Sequence, residues 1–192
     1  MTGDLDLATA NLALKATPPE RLETIIKRGD PTFEPVLHIR PNEPPSRFRT
    51  ADGFLLDLIT PTRRRSDTNP MAMEELDAGA APLQYIDWLI ADPVPTVALW
   101  GSGVSINIPQ PARLAVHKLI LAQKRHVGSR SKRQKDLAQA DALIEAIQSH
   151  DPFELHDTLI DAAAQGHRGW REPMVRSLTE LKREPMAKQL SL

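Results

Sequence analysis

The first half of the chain alternates short apolar runs with turn-forming residues. Four such runs have the length and composition of strands; they are Phe33 to Ile39, Phe54 to Ile59, Thr96 to Trp100 and Val104 to Ile108. The Gly-Ser-Gly segment 101–103 lies between the last two runs, where it predicts a hairpin turn.

Two helices are predicted within this β-rich half. Thr17 is a candidate N-cap, with Pro18 at the first helical position and Glu20 three residues after the cap, and Gly29 marks the end of the helix. A shorter helix is predicted from Leu83 to Ala91.

The pattern after Pro111 is helical. Breaks at Gly128, at the Asp151-Pro152 junction, where Asp151 is the expected cap, and at residues 166–169 divide it into three or four predicted helices. Apolar positions at helical spacing predict a core that contains Leu119, Ile120, Leu137, Ile144, Leu155 and Leu159.

Proline supports this division, because fourteen of the 17 prolines lie at or before Pro111. We therefore expect an α/β (α+β) fold with a mixed sheet in residues 1–110 and a helical region in residues 111–192.

Composition narrows the function. The 192 residues carry 24 Lys and Arg against 25 Asp and Glu, so no overall positive charge favours a nucleic acid or an anionic membrane. The absence of cysteine excludes disulfides, thiolate zinc sites, iron–sulfur ligation and a cysteine nucleophile. With no signal-like start and no apolar stretch of membrane-spanning length, we expect a cytoplasmic protein without a membrane partner.

Charge is segregated in the helical region. Arg113 to Lys135 contains eight basic and no acidic residues, and Asp136 to His167 contains seven acidic residues and no Lys or Arg. A solvated helical hairpin with complementary faces explains most of these charges. Nucleic-acid binding through the basic block is an alternative that is not favoured, and it would depend steeply on salt.

In the predicted helix that follows Pro111, two basic residues lie outside the single polar stripe that an ordinary surface helix has. Lys118 and Arg125 are seven residues apart and align with each other among apolar neighbours, whereas His117 and Lys124 align on a separate stripe. Either a surface role or binding of a triphosphate fits the first pair. His117 is expected to be a partly buried, hydrogen-bonded residue.

The next helix has its own charged pair. Lys132 and Asp136 are four residues apart, a spacing at which a simple salt bridge is favoured over ligand binding.

Three aspartates lie in strand-like surroundings. Asp4 and Asp6 flank Leu5, so on a strand both carboxylates point to one face, which suits magnesium. Asp57 lies inside the apolar run 54–59, where a carboxylate needs a cation or hydrogen-bond donors to face it.

The run Thr2 to Leu7 resembles the aspartate pair of the DNA polymerase β-like nucleotidyltransferase superfamily, and Asp57 matches the third acid, which lies on a later strand. Four later segments are similar to a bacterial family of nucleotidyltransferase-like proteins; they are residues 51–61, 100–103, 115–119 and 135–140. The resemblance implies that Asp4, Asp6 and Asp57 are catalytic and hold Mg²⁺, with Asp57 acting as third ligand or as base.

The resemblance also implies a nucleoside triphosphate as substrate. Together with the helical stripe it makes Lys118, Arg125 and Lys132 candidate nucleotide-binding residues. The acceptor is not legible in the sequence.

One element of the superfamily has no counterpart in the sequence. The superfamily has a Gly-Ser or Gly-Gly turn, one helix before the aspartate pair, that binds the triphosphate, and only three residues precede Asp4. We therefore expect a truncated family member that transfers nucleotide slowly or not at all. The alternative is a non-catalytic binding or interaction module derived from the same fold, whose open sheet edge favours a homo-oligomer or another partner.

Overall fold

In the computed structural model, which describes residues 4–9, 20–36, 43–64, 66–99 and 101–191, backbone contacts divide the chain into the units Met1–Trp88 and Leu89–Leu192. The first unit carries a sheet and the second carries a hairpin and most of the helices. The α+β class is confirmed. The division of the chain at residue 110, into a part with a mixed sheet and a helical part, stays a prediction.

Strand β4 (Leu55–Pro61) is the centre of the sheet in the first unit. It pairs in parallel with β1 (Asp4–Ala8) and with β6 (Ala78–Leu83), and antiparallel with β3 (Arg47–Arg49). Two further strands extend the sheet: β2 (Glu34–Pro35) pairs with β3, and β5 (Met71–Met73) pairs with β6.

Side chains along β4 alternate between the core face of the sheet and the opposite face. Leu56 and Leu58 are buried, and they belong to a core that includes Phe48 of β3 and Leu22 of helix α1 (Leu22–Gly29). Asp57, between the two leucines, points to the opposite face of the sheet. The predicted strand 54–59 is thus confirmed.

Gly79 allows β6 to approach the segments that contain Pro44 and Pro70 closely. A Cβ at this position would lie 2.8 Å from the carbonyl oxygen of Pro44 and 2.8 Å from Cβ of Pro70. The Gly79 amide donates to the carbonyl of Pro45 at 2.9 Å, so the backbones are held at this distance.

Three sequence predictions in the first unit are wrong in extent. Helix α1 begins at Leu22 with no side-chain cap at Arg21; Glu20 lies before the helix and pairs with Arg28, and the predicted cap Thr17 lies outside the described residues. The run from Phe33 forms a strand only at Glu34–Pro35, and residues 37–39 lie outside the described part.

The helix predicted from Leu83 is the shorter α2 (Ile86–Leu89). Leu83 instead pairs with Pro61 as the last residue of β6, because the backbone carbonyl of Leu83 accepts from the amide of Thr62. Tyr85 then takes a left-handed conformation, with φ of 71°, which separates the strand from the helix.

The second unit begins with an antiparallel hairpin of β7 (Val94–Ala98) and β8 (Val104–Ile108). Gly101 and Gly103 in its turn have φ of 57° and 92°, which confirms the predicted turn; Trp100 lies outside the described residues. The helices that follow are α3 (Pro111–Lys124), α4 (Arg130–His150), α5 (Pro152–Ala164), α6 (Glu172–Glu180) and α7 (Glu184–Ser191).

The helical core is the one that the periodicity predicts. Every one of the six predicted core side chains is buried. The number of helices is higher than predicted, with five after residue 110 in the described part, because Lys182 adopts a left-handed conformation and separates α6 from α7. No helix in the described part of the chain is both long enough and apolar enough to cross a membrane.

Candidate functional site

The register between β1 and β4 brings three acids to one face of the sheet. Asp4 is paired with Leu55, and Asp6 with Asp57, across two parallel strands. Residues paired in this way point to the same side of a sheet, and so do residues two apart on one strand. Asp4, Asp6 and Asp57 therefore share one face, which is what the sequence pattern predicts for them.

Asp57 already has a cation as partner. Arg47 is paired with Asp57 across β3 and β4; its Nη2 donates to Oδ2 at 2.7 Å, and its Nε donates to Oδ1. The Asp57 side chain is 18% exposed and that of Arg47 is 49% exposed. A guanidinium from the neighbouring strand therefore accounts for the carboxylate within the apolar run without any metal ion.

All three acids of this face raise the pKa of Arg47. Hydrogen bonding to Asp57 raises the pKa of the Arg47 guanidinium against the cost of its partial burial, and the charges of Asp57, Asp6 and Asp4 raise it further. Arg47 therefore lies in the field of all three carboxylates. Sequence reasoning missed this residue; the signal was the alternation Arg47-Phe48-Arg49, in which a buried Phe lies between two exposed arginines.

Two of the three carboxylates on this face have the chemistry of a magnesium site. No group of three or more His, Asp or Glu side chains in the described residues is arranged to hold a metal ion. Magnesium commonly takes only one or two protein carboxylates and completes its shell with water and phosphate oxygens. Asp4 and Asp6, two exposed carboxylates on one face, fit that requirement. Both oxygens of Asp57 accept hydrogen bonds from Arg47.

Two of the three candidate nucleotide-binding residues of the second unit meet at one buried carboxylate. Lys118 Nζ lies 3.2 Å from Oδ1 of Asp136, and Arg125 Nε lies 2.9 Å from Oδ2. Lys118 and Arg125 thus share a face of the α3 end, as their spacing predicts. The Asp136 side chain is only 4% exposed.

The predicted pair of Lys132 with Asp136 is wrong. Asp136 lies on the side of α4 that packs against α3, where the cations of α3 reach it, and the exposed Lys132 makes no ion pair within the described residues. Two partners from the facing helix replace one partner from the same helix.

His117 lies next to this group and is buried. Desolvation lowers the pKa of its imidazole to about 4, and the charges of Lys118 and Arg125 lower it while that of Asp136 raises it. His117 is therefore neutral near pH 7. The expected hydrogen bond is not found at Nε2, which is buried without a hydrogen-bond partner in the described structure.

Comparison with known protein families identifies a family for this chain. A family model described as nucleotidyltransferase matches residues 1–164, which include the three aspartates and the helices α3 and α4. Searches of curated proteins and of solved structures give no match.

Proposed function

The chain belongs to the nucleotidyltransferase family, and from that membership we propose that it transfers a nucleotide from a nucleoside triphosphate to an acceptor hydroxyl. The observation that supports the proposal is the parallel register of β1 and β4, in which Asp6 is paired with Asp57 and shares its face with Asp4. Acids on one face of a sheet can hold metal ions, which stabilise the negative charge that develops in phosphoryl-type transfer.

In the proposed reaction the acceptor oxygen forms a bond to the α-phosphorus of the triphosphate. The bond from that phosphorus to the bridging oxygen of the β-phosphate breaks, and pyrophosphate leaves with the electron pair. The hydroxyl proton passes to a carboxylate or to solvent. No protein nucleophile is needed, so catalysis depends on positioning and on compensation of phosphate charge.

Asp4 and Asp6 are the residues that we propose as ligands of Mg²⁺. When bound, the ion supplies positive charge at the phosphate oxygens. Asp57 keeps the two roles that the sequence leaves open, third ligand or base. Either role is performed in the presence of Arg47, whose hydrogen bonds occupy one lone pair of each Asp57 oxygen and leave a second one available.

Lys118, Arg125 and Lys132 are proposed to bind the phosphate groups of the nucleotide. Lys118 and Arg125 retain partial exposure, at 24% and 33% of their side chains, and Lys132 is exposed. Lysine and arginine are the usual phosphate partners, arginine through its forked donors and lysine as a point charge.

The test is labelling with α-labelled nucleoside triphosphates in the presence of Mg²⁺ and a broad acceptor extract, with the extract alone as blank. The sequence predicts slow transfer by the parent protein, and we expect any label that it transfers to be lost in an Asp4→Asn, Asp6→Asn double variant. Asp77→Asn is the matched control, because Asp77 is an exposed acid of the same unit in a left-handed conformation that asparagine adopts readily.

Two outcomes contradict the proposal. Equal labelling by the parent and the double variant would show that Asp4 and Asp6 have no role in the reaction. Absence of labelling by the parent with every nucleotide and acceptor fraction would show that the protein does not transfer nucleotide.

A further inference from the structure

The carboxylate of Asp136 holds two cations at once. Each of its oxygens is engaged by a different residue of the α3 end, Oδ1 by Lys118 at 3.2 Å and Oδ2 by Arg125 at 2.9 Å. Since the Asp136 side chain is only 4% exposed, its carboxylate is not available to a ligand.

The two cations, in contrast, retain donor capacity. Arg125 uses only Nε, so its two terminal nitrogens make no hydrogen bond within the described residues. Lys118 makes one hydrogen bond in that part of the chain, and an ammonium group has three donors. One negative charge against two positive ones leaves an excess of one positive charge at this position.

The neighbouring His117 reports the same imbalance. Lys118 and Arg125 both lower the pKa of the imidazole and only Asp136 opposes them, in addition to the larger effect of desolvation. Of the three charged groups that act on the buried ring, two are therefore cations and one is an anion. An anion at Lys118 and Arg125 would complete the compensation.

We propose that Asp136 is a positioning residue that fixes Lys118 and Arg125 as a two-pronged cation for the phosphate groups of the nucleotide, an inference that rests on the proposed function. Lysine and arginine have long side chains with high conformational entropy, and ordering them at the moment of binding reduces affinity. A common buried anchor orders both side chains before the ligand arrives. Lys132 adds charge to the same helical hairpin, but Asp136 does not hold it.

Charge and positioning make opposite predictions for one substitution. Asp136→Asn removes a negative charge from between two cations, so long-range attraction for an anion increases. Loss of the shared anchor has the opposite effect, since the two cations are then free to separate under their mutual repulsion. If Asp136 positions them, the affinity for a polyphosphate falls although the positive charge has increased.

The experiment measures binding of inorganic tripolyphosphate to the full chain by calorimetry, without Mg²⁺ and at low ionic strength. Asp141→Asn is the control, because Asp141 lies on the same helix and forms a more exposed ion pair with Arg183, whose Nε lies 2.6 Å from Oδ1. We expect Asp136→Asn to bind about tenfold more weakly than the parent, the loss expected for one charged hydrogen bond, and Asp141→Asn to stay within about twofold.

A merely structural role lowers the melting temperature without changing the affinity of the folded protein. Equal or tighter binding by folded Asp136→Asn therefore overturns the proposal. Where Asp136→Asn does not fold, Asp136→Glu decides, since it keeps the charge and displaces the carboxylate by one methylene. It must bind more weakly than Asp141→Glu, and equal affinity overturns the proposal.

Failure of this inference is distinguishable from failure of the proposed function. Absence of tripolyphosphate binding by the parent overturns the phosphate site on α3 and with it the role of Asp136, while label transfer that depends on Asp4 and Asp6 would still stand. Conversely, tripolyphosphate binding that responds to Asp136 supports the inference even where no label is transferred.

Discussion

The guanidinium of Arg47 binds both oxygens of Asp57 from the adjacent strand β3, on the face of the sheet that also carries Asp4 and Asp6. A cation of the protein is therefore part of the acidic group. Asp4 and Asp6 are exposed, and their charges, like that of Asp57, raise the pKa of the guanidinium. Arg47 therefore influences any cation that the acids bind.

Replacing Arg47 with methionine should make the protein more responsive to Mg²⁺. Loss of the partly exposed ion pair lowers the free energy of unfolding by about 1 kcal/mol without metal. The uncompensated repulsion among Asp4, Asp6 and Asp57 then makes cation binding more favourable. In thermal melts we expect a larger rise in melting temperature on addition of Mg²⁺ than the parent shows.

The control for this experiment is Arg49→Met, on the same strand and the same face but opposite Leu55. It should respond to Mg²⁺ as the parent does. An Arg47→Met protein that gains no more from Mg²⁺ than the Arg49→Met control would show that the three acids do not act together on a cation.

Gly79→Ala should be destabilising, because the added Cβ would lie 2.8 Å from a backbone oxygen and from a proline ring carbon. Both neighbours belong to rigid proline residues, Pro44 and Pro70, so relief requires movement of the backbone. We expect a loss of about 1–3 kcal/mol in urea unfolding, in the range of overpacked sites. Gly29→Ala is the control, since no atom lies within 4 Å of its added Cβ; a similar loss in both variants would contradict the packing argument.

Much of the fold is legible in the sequence where a local pattern determines the structure. The periodicity of α3 to α5 identifies the buried positions, such as Ile120 and Ile144, because one face of a helix must be covered. The Gly101 and Gly103 turn is equally local, since only a few residue types accept positive φ. The common face of Asp4 and Asp6 follows from strand geometry alone.

The missed features depend on partners distant in sequence. Arg47 is ten residues from Asp57, and only the pairing of β3 with β4 brings them together. Asp136 has a suitable partner four residues away in Lys132, yet helix packing gives it two cations from α3 instead. Lys182 ends α6 without a glycine, so no helix-stop signal marks the position.

Asp151→Ala should destabilise the protein by about 1 kcal/mol, the usual cost of losing an N-cap. The Asp151 carboxylate accepts from the amides of Phe153 and Glu154, at 3.0 and 3.1 Å, which confirms the cap that the sequence predicts for α5. Asp151→Ser should restore most of the loss in urea unfolding. Asp157→Ala, an exposed acid on the same helix, should have little effect, and a loss equal to that of Asp151→Ala would argue against capping.

His117 should make stability depend on pH between about 6.5 and 4. Its pKa in the folded protein, lowered to about 4, is below the ordinary value of 6.5, so the unfolded chain binds more protons in this interval and stability falls as the pH falls. From pH 7.5 to pH 5 this single group contributes a loss of about 2 kcal/mol. The groups that act on the ring are Lys118 and Arg125, which disfavour its protonation, and Asp136, which favours it.

Urea unfolding at the two pH values should therefore show a smaller difference in the free energy of unfolding for His117→Gln than for the parent. His156→Gln, at an exposed position on α5, should keep the parent's difference. Equal pH dependence in the parent and in His117→Gln would mean that the buried imidazole is not the group that loses stability on acidification.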